Sequence, residues 1–148
     1  MTDRRYGYYP GCSLLSSAKE YDRSVQAVFT HLGLDLIEIE DWNCCGAVHA
    51  DVNNPDAAIT LPARNLALAE AQGLDEIVAP CSGCYKNLRR ASKAVAEENS
   101  IRAKVNKSLQ GDLKLERDIE VLHPLYVILY HYGLGRLEPE IVKPLSGM

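Results

Sequence analysis

Five cysteines in three widely spaced groups constrain this chain more than any other feature. They are Cys12, then Cys44-Cys45 followed by Gly46, then Cys81-Ser82-Gly83-Cys84, with 31 residues between the first two groups and 34 between Gly46 and Cys81. Thiolates are soft ligands suited to zinc or to iron–sulfur clusters, and a tetrahedral ion uses only four. A fold that gathers all five must bring three distant segments together and find work for a fifth ligand.

Other uses of the cysteines fit less well. At 148 residues the chain is the size of one compact domain, which buries roughly two-thirds of its unfolded surface without help from disulfides. The opening residues Met1-Thr2-Asp3-Arg4-Arg5-Tyr6 lack the apolar core of a signal peptide, and no apolar run has the length of a membrane span. The sequence therefore reads as cytoplasmic. In a reducing compartment an odd number of cysteines argues against a disulfide framework. A net charge of -4 and a pI near 5.5 give no general attraction for nucleic acid. The basic stretch Lys86-Asn87-Leu88-Arg89-Arg90 reads as a solvated helix face, with Lys86 beside an anionic site as the sharper alternative.

Periodicity supplies the fold. Arg5 to Tyr9 suits a strand, stopped by Pro10-Gly11 just before Cys12. Val25, Val28, Phe29 and Leu32 recur at helical spacing between Ala18 and Leu32, and Gly33 closes the helix. Leu34 to Glu40 reads as a second strand leading into Cys44-Cys45. A second helix is expected from about Leu61 to Gln72, with Thr60 as cap and Pro62 in the first turn. Glu76 to Ala79 is a short buried strand, and Cys81 opens a third helix with Leu88, Ala91 and Val95 on one face. Beyond Ser100 the polar stretch to Arg117 has no clear period, with a break at Gly111-Asp112. Glu120-Val121-Leu122 suits a fourth strand, and His123-Pro124 starts a last helix through Tyr132. Gly133 to Met148 reads as a loop or tail.

Strand and helix in alternation predict an α/β fold, a small parallel sheet flanked by helices in Rossmann-like fashion. Such sheets bind cofactors at the carboxyl ends of their strands. All three cysteine groups follow predicted strands, so periodicity alone brings the five thiols to one edge.

The grouping also speaks against ordinary core cysteines. Adjacent Cys44 and Cys45 reach one site only if the backbone bends, which Gly46 permits. Cys81 and Cys84 at a helix start lie where the dipole favours negative charge. Adjacent ligands suit a polynuclear iron–sulfur centre better than a lone ion. Zinc leaves one idle, and a thioredoxin-like reading of Cys81 and Cys84 leaves three unexplained. The closely spaced cysteine run of a bacterial ferredoxin is absent.

The layout Tyr8-Tyr9-Pro10-Gly11-Cys12, Cys44-Cys45-Gly46 and Cys81-Ser82-Gly83-Cys84 resembles the cysteine-rich CCG domain found in the B-type component of heterodisulfide reductase. Related domains occur in glycolate and lactate oxidation systems and in some succinate and fumarate reductases. The resemblance implies a noncubane four-iron four-sulfur cluster (4Fe-4S) held by Cys12, Cys44, Cys45, Cys81 and Cys84, and used for reductive cleavage of a disulfide. It also implies a ferredoxin-like iron–sulfur partner, the C-type component of heterodisulfide reductase, a flavin partner of the A type, and association with a membrane only through partners. The family protein has two CCG domains, and this sequence has one. Residues 1–148 are thus expected to be a single CCG domain, with about 134–148 as a tail or linker towards a second domain or a second copy. An electron-transfer module of another CCG-domain oxidoreductase is the alternative, and a structural zinc domain, or adventitious zinc at the thiols, a more distant one.

Other residues carry weaker signals. Gly46, His49 and Lys86 are candidates to lie against the cluster or substrate, His49 being otherwise an exposed loop histidine. His123 reads as a helix cap or as a neighbour of the site, and His31 and His131 as surface or packing residues. Trp42 and Tyr85 are expected to shield the centre from water.

Overall fold

A computed structural model describes residues 4–47, 54–144 and 147. Four short strands, β1 (Arg5–Tyr8), β2 (Asp35–Glu38), β3 (Glu76–Val78) and β4 (Glu120–Leu122), form one sheet in the order β2-β1-β3-β4. All pairings are parallel. The connections are helical, as parallel strands require. A short α1 (Gly11–Leu15) and α2 (Lys19–His31) join β1 to β2, α3 (Pro55–Ala71) joins β2 to β3, and α4 (Ser82–Glu97) with α5 (Asn99–Ser108) joins β3 to β4. After β4 the chain continues as α6 (Pro124–Tyr126), a π-helical stretch Val127–Gly133, α7 (Leu134–Leu137) and a 3₁₀ turn Glu138–Glu140. The α/β class and its flanked parallel sheet are as the periodicity predicts.

Alternation along the strands divides the core into two layers. Tyr6 and Tyr8 of β1, Val78 and Leu122 face α2 and the π-helical stretch, packing with Val25, Phe29, Val127 and Tyr132. Tyr9, Ile77 and Val121 face α3, α4 and α5, packing with Leu66, Leu88, Ala91 and Val105. Gly7 packs closely, since a Cβ there would stand 3.3 Å from Leu74 Cδ1 and 3.4 Å from Glu76 O.

The largest departure from expectation is at α3, which starts at Pro55 rather than near Leu61. Asn54 is its cap, accepting from the N–H groups of Asp56 and Ala57 at 3.1 Å each. Pro62 consequently lies inside the helix, where it removes the bond that Ala58 O would accept. The guanidinium of Arg90 on α4 donates to that carbonyl instead, at 3.3 Å. The stretch beyond Ser100 holds most of α5, and the segment from Gly133, read as loop, carries α7 and the 3₁₀ turn.

Candidate metal centre

Each thiol group is placed by the end of a strand. β1 runs into Pro10 and Gly11, whose φ of +72° turns the chain into α1 with Cys12 at its second position. A Cβ on Gly11 would lie 2.9 Å from Cys84 Sγ, so the left-handed backbone and the close approach both call for glycine here. β2 leads through Asp41 and Trp42 into an irregular segment that carries Cys44 and Cys45, followed by Gly46 at φ +74°. β3 ends at Val78, and Cys81 caps α4, with Cys84 in its first turn.

All five thiols line one cavity of about 730 Å³, together with Ser13, Asn43, Gly46, Ala47, Ala57, Leu61 and Gly83. Cys45 and Cys84 are buried, Cys81 is half-buried, and Cys12 and Cys44 are exposed. The sulfurs of Cys45 and Cys84 are 3.3 Å apart, and Gly46 N–H points at Cys44 Sγ at 3.4 Å. The cavity lies past the carboxyl ends of β1 and β3, where the sheet order reverses direction, the usual ligand position in an open α/β sheet. Among the described residues no three Cys, His, Asp or Glu side chains surround a point fit for one metal ion.

The electrostatics favour one thiolate within the Cys45–Cys84 pair. Contact with Cys84 holds the Cys45 thiol below its ordinary range, while the same contact together with burial pushes Cys84 above it. Cys44 is pulled down by the Gly46 N–H, yet burial and the neighbouring thiols outweigh that and leave it raised. Cys81 caps α4 without a side-chain bond to the helix, so the positive end of a 16-residue helix faces the thiols.

The loop bearing Cys44 and Cys45 is held from three directions. Asn65 of α3 accepts from Asn43 N–H at 2.9 Å and donates to Asn43 O at 2.9 Å. Tyr9 O–H donates to the same carbonyl at 2.7 Å, and burial keeps this phenol protonated by raising it well above its usual range. Asn87 of α4 donates to Cys45 O at 3.1 Å. Sequence reasoning gives none of these three a role at the site, although Tyr9 stands in the motif that leads into Cys12. Asn65 does leave a signal, as an amide in a stretch from Ala63 to Ala69 that is otherwise apolar apart from Arg64. Asn87 is hidden within the basic stretch, where Lys86 and Arg89 point away from the core side that Asn87 and Leu88 occupy, Lys86 exposed and both Asn87 and Leu88 buried.

Of the other predicted site residues, Gly46 lines the cavity. Lys86 is exposed on α4 and is not part of the cavity wall. His49 lies outside the described residues. Trp42 and Tyr85 do not line the cavity either. Trp42 packs edge-on against Tyr9 with ring centroids 5.3 Å apart, and Tyr85 packs against His123 at 5.8 Å. His123 caps α6, accepting from Leu125 N–H at 3.3 Å. His31 is exposed beside Glu140, and His131 bonds Tyr6 O–H at 2.9 Å.

A family model described as the CCG cysteine-rich domain matches residues 6–89, the span from β1 to the middle of α4 that carries every thiol. The chain belongs to this cysteine-rich CCG domain family. Among relatives of this CCG domain, the 8-methylmenaquinol:fumarate reductase membrane anchor subunit of Wolinella succinogenes is 37% identical over 98% of the chain and 50% of its own length. A protein of Archaeoglobus profundus, named for its likeness to the B-type component of heterodisulfide reductase, is 28% identical over 97% of the chain and 48% of its own. The B-type component of a ferredoxin:CoB-CoM heterodisulfide reductase of Methanosarcina acetivorans is 25% identical over 86% and 44%. The chain thus spans about half the length of these relatives, all named after reductases. A crystal structure of a hypothetical protein from Helicobacter pylori shares the fold, with a TM-score of 0.74 at 20% identity over 88% of the chain and 26% of that protein.

Proposed function

We propose that this CCG domain is the iron–sulfur module of a heterodisulfide reductase-like oxidoreductase, holding a noncubane four-iron four-sulfur cluster on Cys12, Cys44, Cys45, Cys81 and Cys84. One observation carries the reading: five thiols from three distant segments converge on one cavity of about 730 Å³. The donor set fits the group. Every ligand is soft sulfur, the cavity exceeds what one ion needs, and the glycine at position 11 leaves Cys84 Sγ the space that a side chain would fill. When bound, such a cluster supplies the electrons by which a disulfide, taking up two electrons and two protons, becomes two thiols.

The chain's own residues prepare the site for that chemistry. The N-terminus of α4 favours the negative charge of bound thiolates. Tyr9, Leu66 and Leu88, all buried, close the core beneath the thiols against water. The exposed sides of Cys12 and Cys44 leave the cavity open for a substrate. The domain itself carries no second cysteine set, so electrons enter from a ferredoxin-like iron–sulfur partner, itself served by a flavin protein. Relatives of twice the length support an active unit in which this domain, residues 1–148 with a connecting segment from about 134, works beside a second CCG domain or a second copy. Among the described residues no helix is long and apolar enough to cross a membrane, and attachment to one would run through partners.

Anaerobic reconstitution with iron and sulfide, followed by iron, sulfide and zinc determination and paramagnetic resonance, tests the assignment. About four irons and four sulfides per chain support it; about one zinc with neither iron nor sulfide refutes it. A second reading is favoured by the fumarate reductase anchor relative at 37% identity: a module that only relays electrons. Adding a disulfide to the oxidised cluster separates the two, since an unchanged spectrum selects the relay.

A further inference from the structure

The two asparagines that clamp the Cys44–Cys45 loop are the only polar or charged residues fully buried among the described residues, Asn65 at 0% and Asn87 at 3% exposure. Burying an amide side chain is costly unless its bonds are met, and an apolar side chain of similar size would fill the same space more cheaply. Both spend those bonds on one short piece of backbone. Asn65 takes the N–H and the C=O of Asn43, and Asn87 takes the C=O of Cys45. The bonds flank Cys44 on both sides and leave the thiols of Cys44 and Cys45 facing the cavity.

The two clamps also come from the elements against which the loop must be registered. Asn65 stands on α3, and Asn87 stands on α4, three residues after Cys84. The bond from Asn87 to Cys45 therefore ties the loop to the helix that carries the neighbouring ligand. Across the same contact the Cys45 and Cys84 sulfurs stand 3.3 Å apart.

We infer that Asn65 and Asn87 are positioning residues that hold Cys44 and Cys45 in ligating geometry before any cluster is present, so that assembly takes place on a preformed site. The inference rests on the ligand set proposed above. It makes the directional hydrogen bonds of these residues, rather than their bulk, the feature that serves cluster binding.

The test uses the full chain in metal-free and reconstituted forms. In metal-free wild-type protein, amide hydrogen exchange across residues 41–47 is expected to be slowed well below the rate of an unstructured peptide; exchange at the unstructured rate would overturn the inference whatever the variants do. Asn87→Leu, which keeps the bulk and loses the donor, is expected to quicken that exchange by about tenfold, the effect of one lost buried hydrogen bond. After reconstitution it is expected to release iron to a chelator at least about tenfold faster and to shift the cluster's reduction potential. Asn65→Ala provides the same readouts from the other clamp. Unchanged exchange in both variants, or quickened exchange with unchanged iron release and potential, would leave the asparagines as core packing only. If wild-type protein takes up no iron at all, the cluster assignment fails, while exchange in the metal-free protein still decides whether the loop is preformed by these bonds.

Discussion

Gly11 joins the geometry of the first strand to the chemistry of the last ligand. Its φ of +72° costs any other residue about 1–2 kcal/mol, and a methyl there would meet Cys84 Sγ at 2.9 Å. Gly11→Ala is expected to lower the melting temperature by several degrees, at about 2–4 °C per kcal/mol for a chain of this size. It should also reduce iron content after reconstitution, and calorimetry with iron analysis checks both. Cys45→Ser is expected to lower cluster occupancy or alter its spectrum with little effect on folding; full retention of both would remove Cys45 from the ligand set. At this scale the cysteines are legible because their chemistry is written in residue type and spacing. Asn65 and Asn87 are not, because an amide in a helix gives no sign of which distant backbone it will meet.

At the scale of elements, β1, β3 and β4 are legible because their apolar runs stop at or near a proline, β2 because its residues alternate, and α4 because Leu88, Ala91 and Val95 share a face. The start of α3 misleads for a physical reason. Thr60-Leu61-Pro62 imitates a cap followed by a first-turn proline, whereas the true signal, Asn54-Pro55, lies more than a turn earlier. The helix tolerates Pro62 because Arg90 of α4 donates to the carbonyl that the proline strands. A double-mutant cycle tests this pairing. Arg90→Ala is expected to cost about 1 kcal/mol in the wild-type background. It should cost less beside Pro62→Ala, where the restored N–H serves Ala58 O instead. Equal costs in denaturant unfolding would show that the two residues act independently.

Across the whole molecule, the thiol cavity lies at the edge of the core, with Cys45 and Cys84 belonging to the same layer as Leu66 and Leu88. Tyr6, Phe29, Leu122 and Val127 pack one side of the sheet, and Leu66, Ile77, Leu88 and Val121 the other, so apolar side chains fill most of both layers. Stripping the cluster with a chelator is therefore expected to leave far-ultraviolet circular dichroism unchanged and thermal unfolding cooperative. A non-cooperative transition would mean that the cluster is part of the fold, as it is in small zinc domains. The sheet order carries a further consequence, one of timing. Cys12 and Cys84 come to one cavity only after β1, which is synthesised before β3, has paired with that strand far along the chain. Parallel pairings of this kind close long loops before they are rewarded, and so form slowly. A nascent chain would thus expose its thiols one group at a time, each open to oxidation or to stray metal, until the third strand docks. In a cell, delivery of iron and sulfide would have to wait for that moment, and the vulnerable interval is set by topology rather than by the chemistry of the ligands.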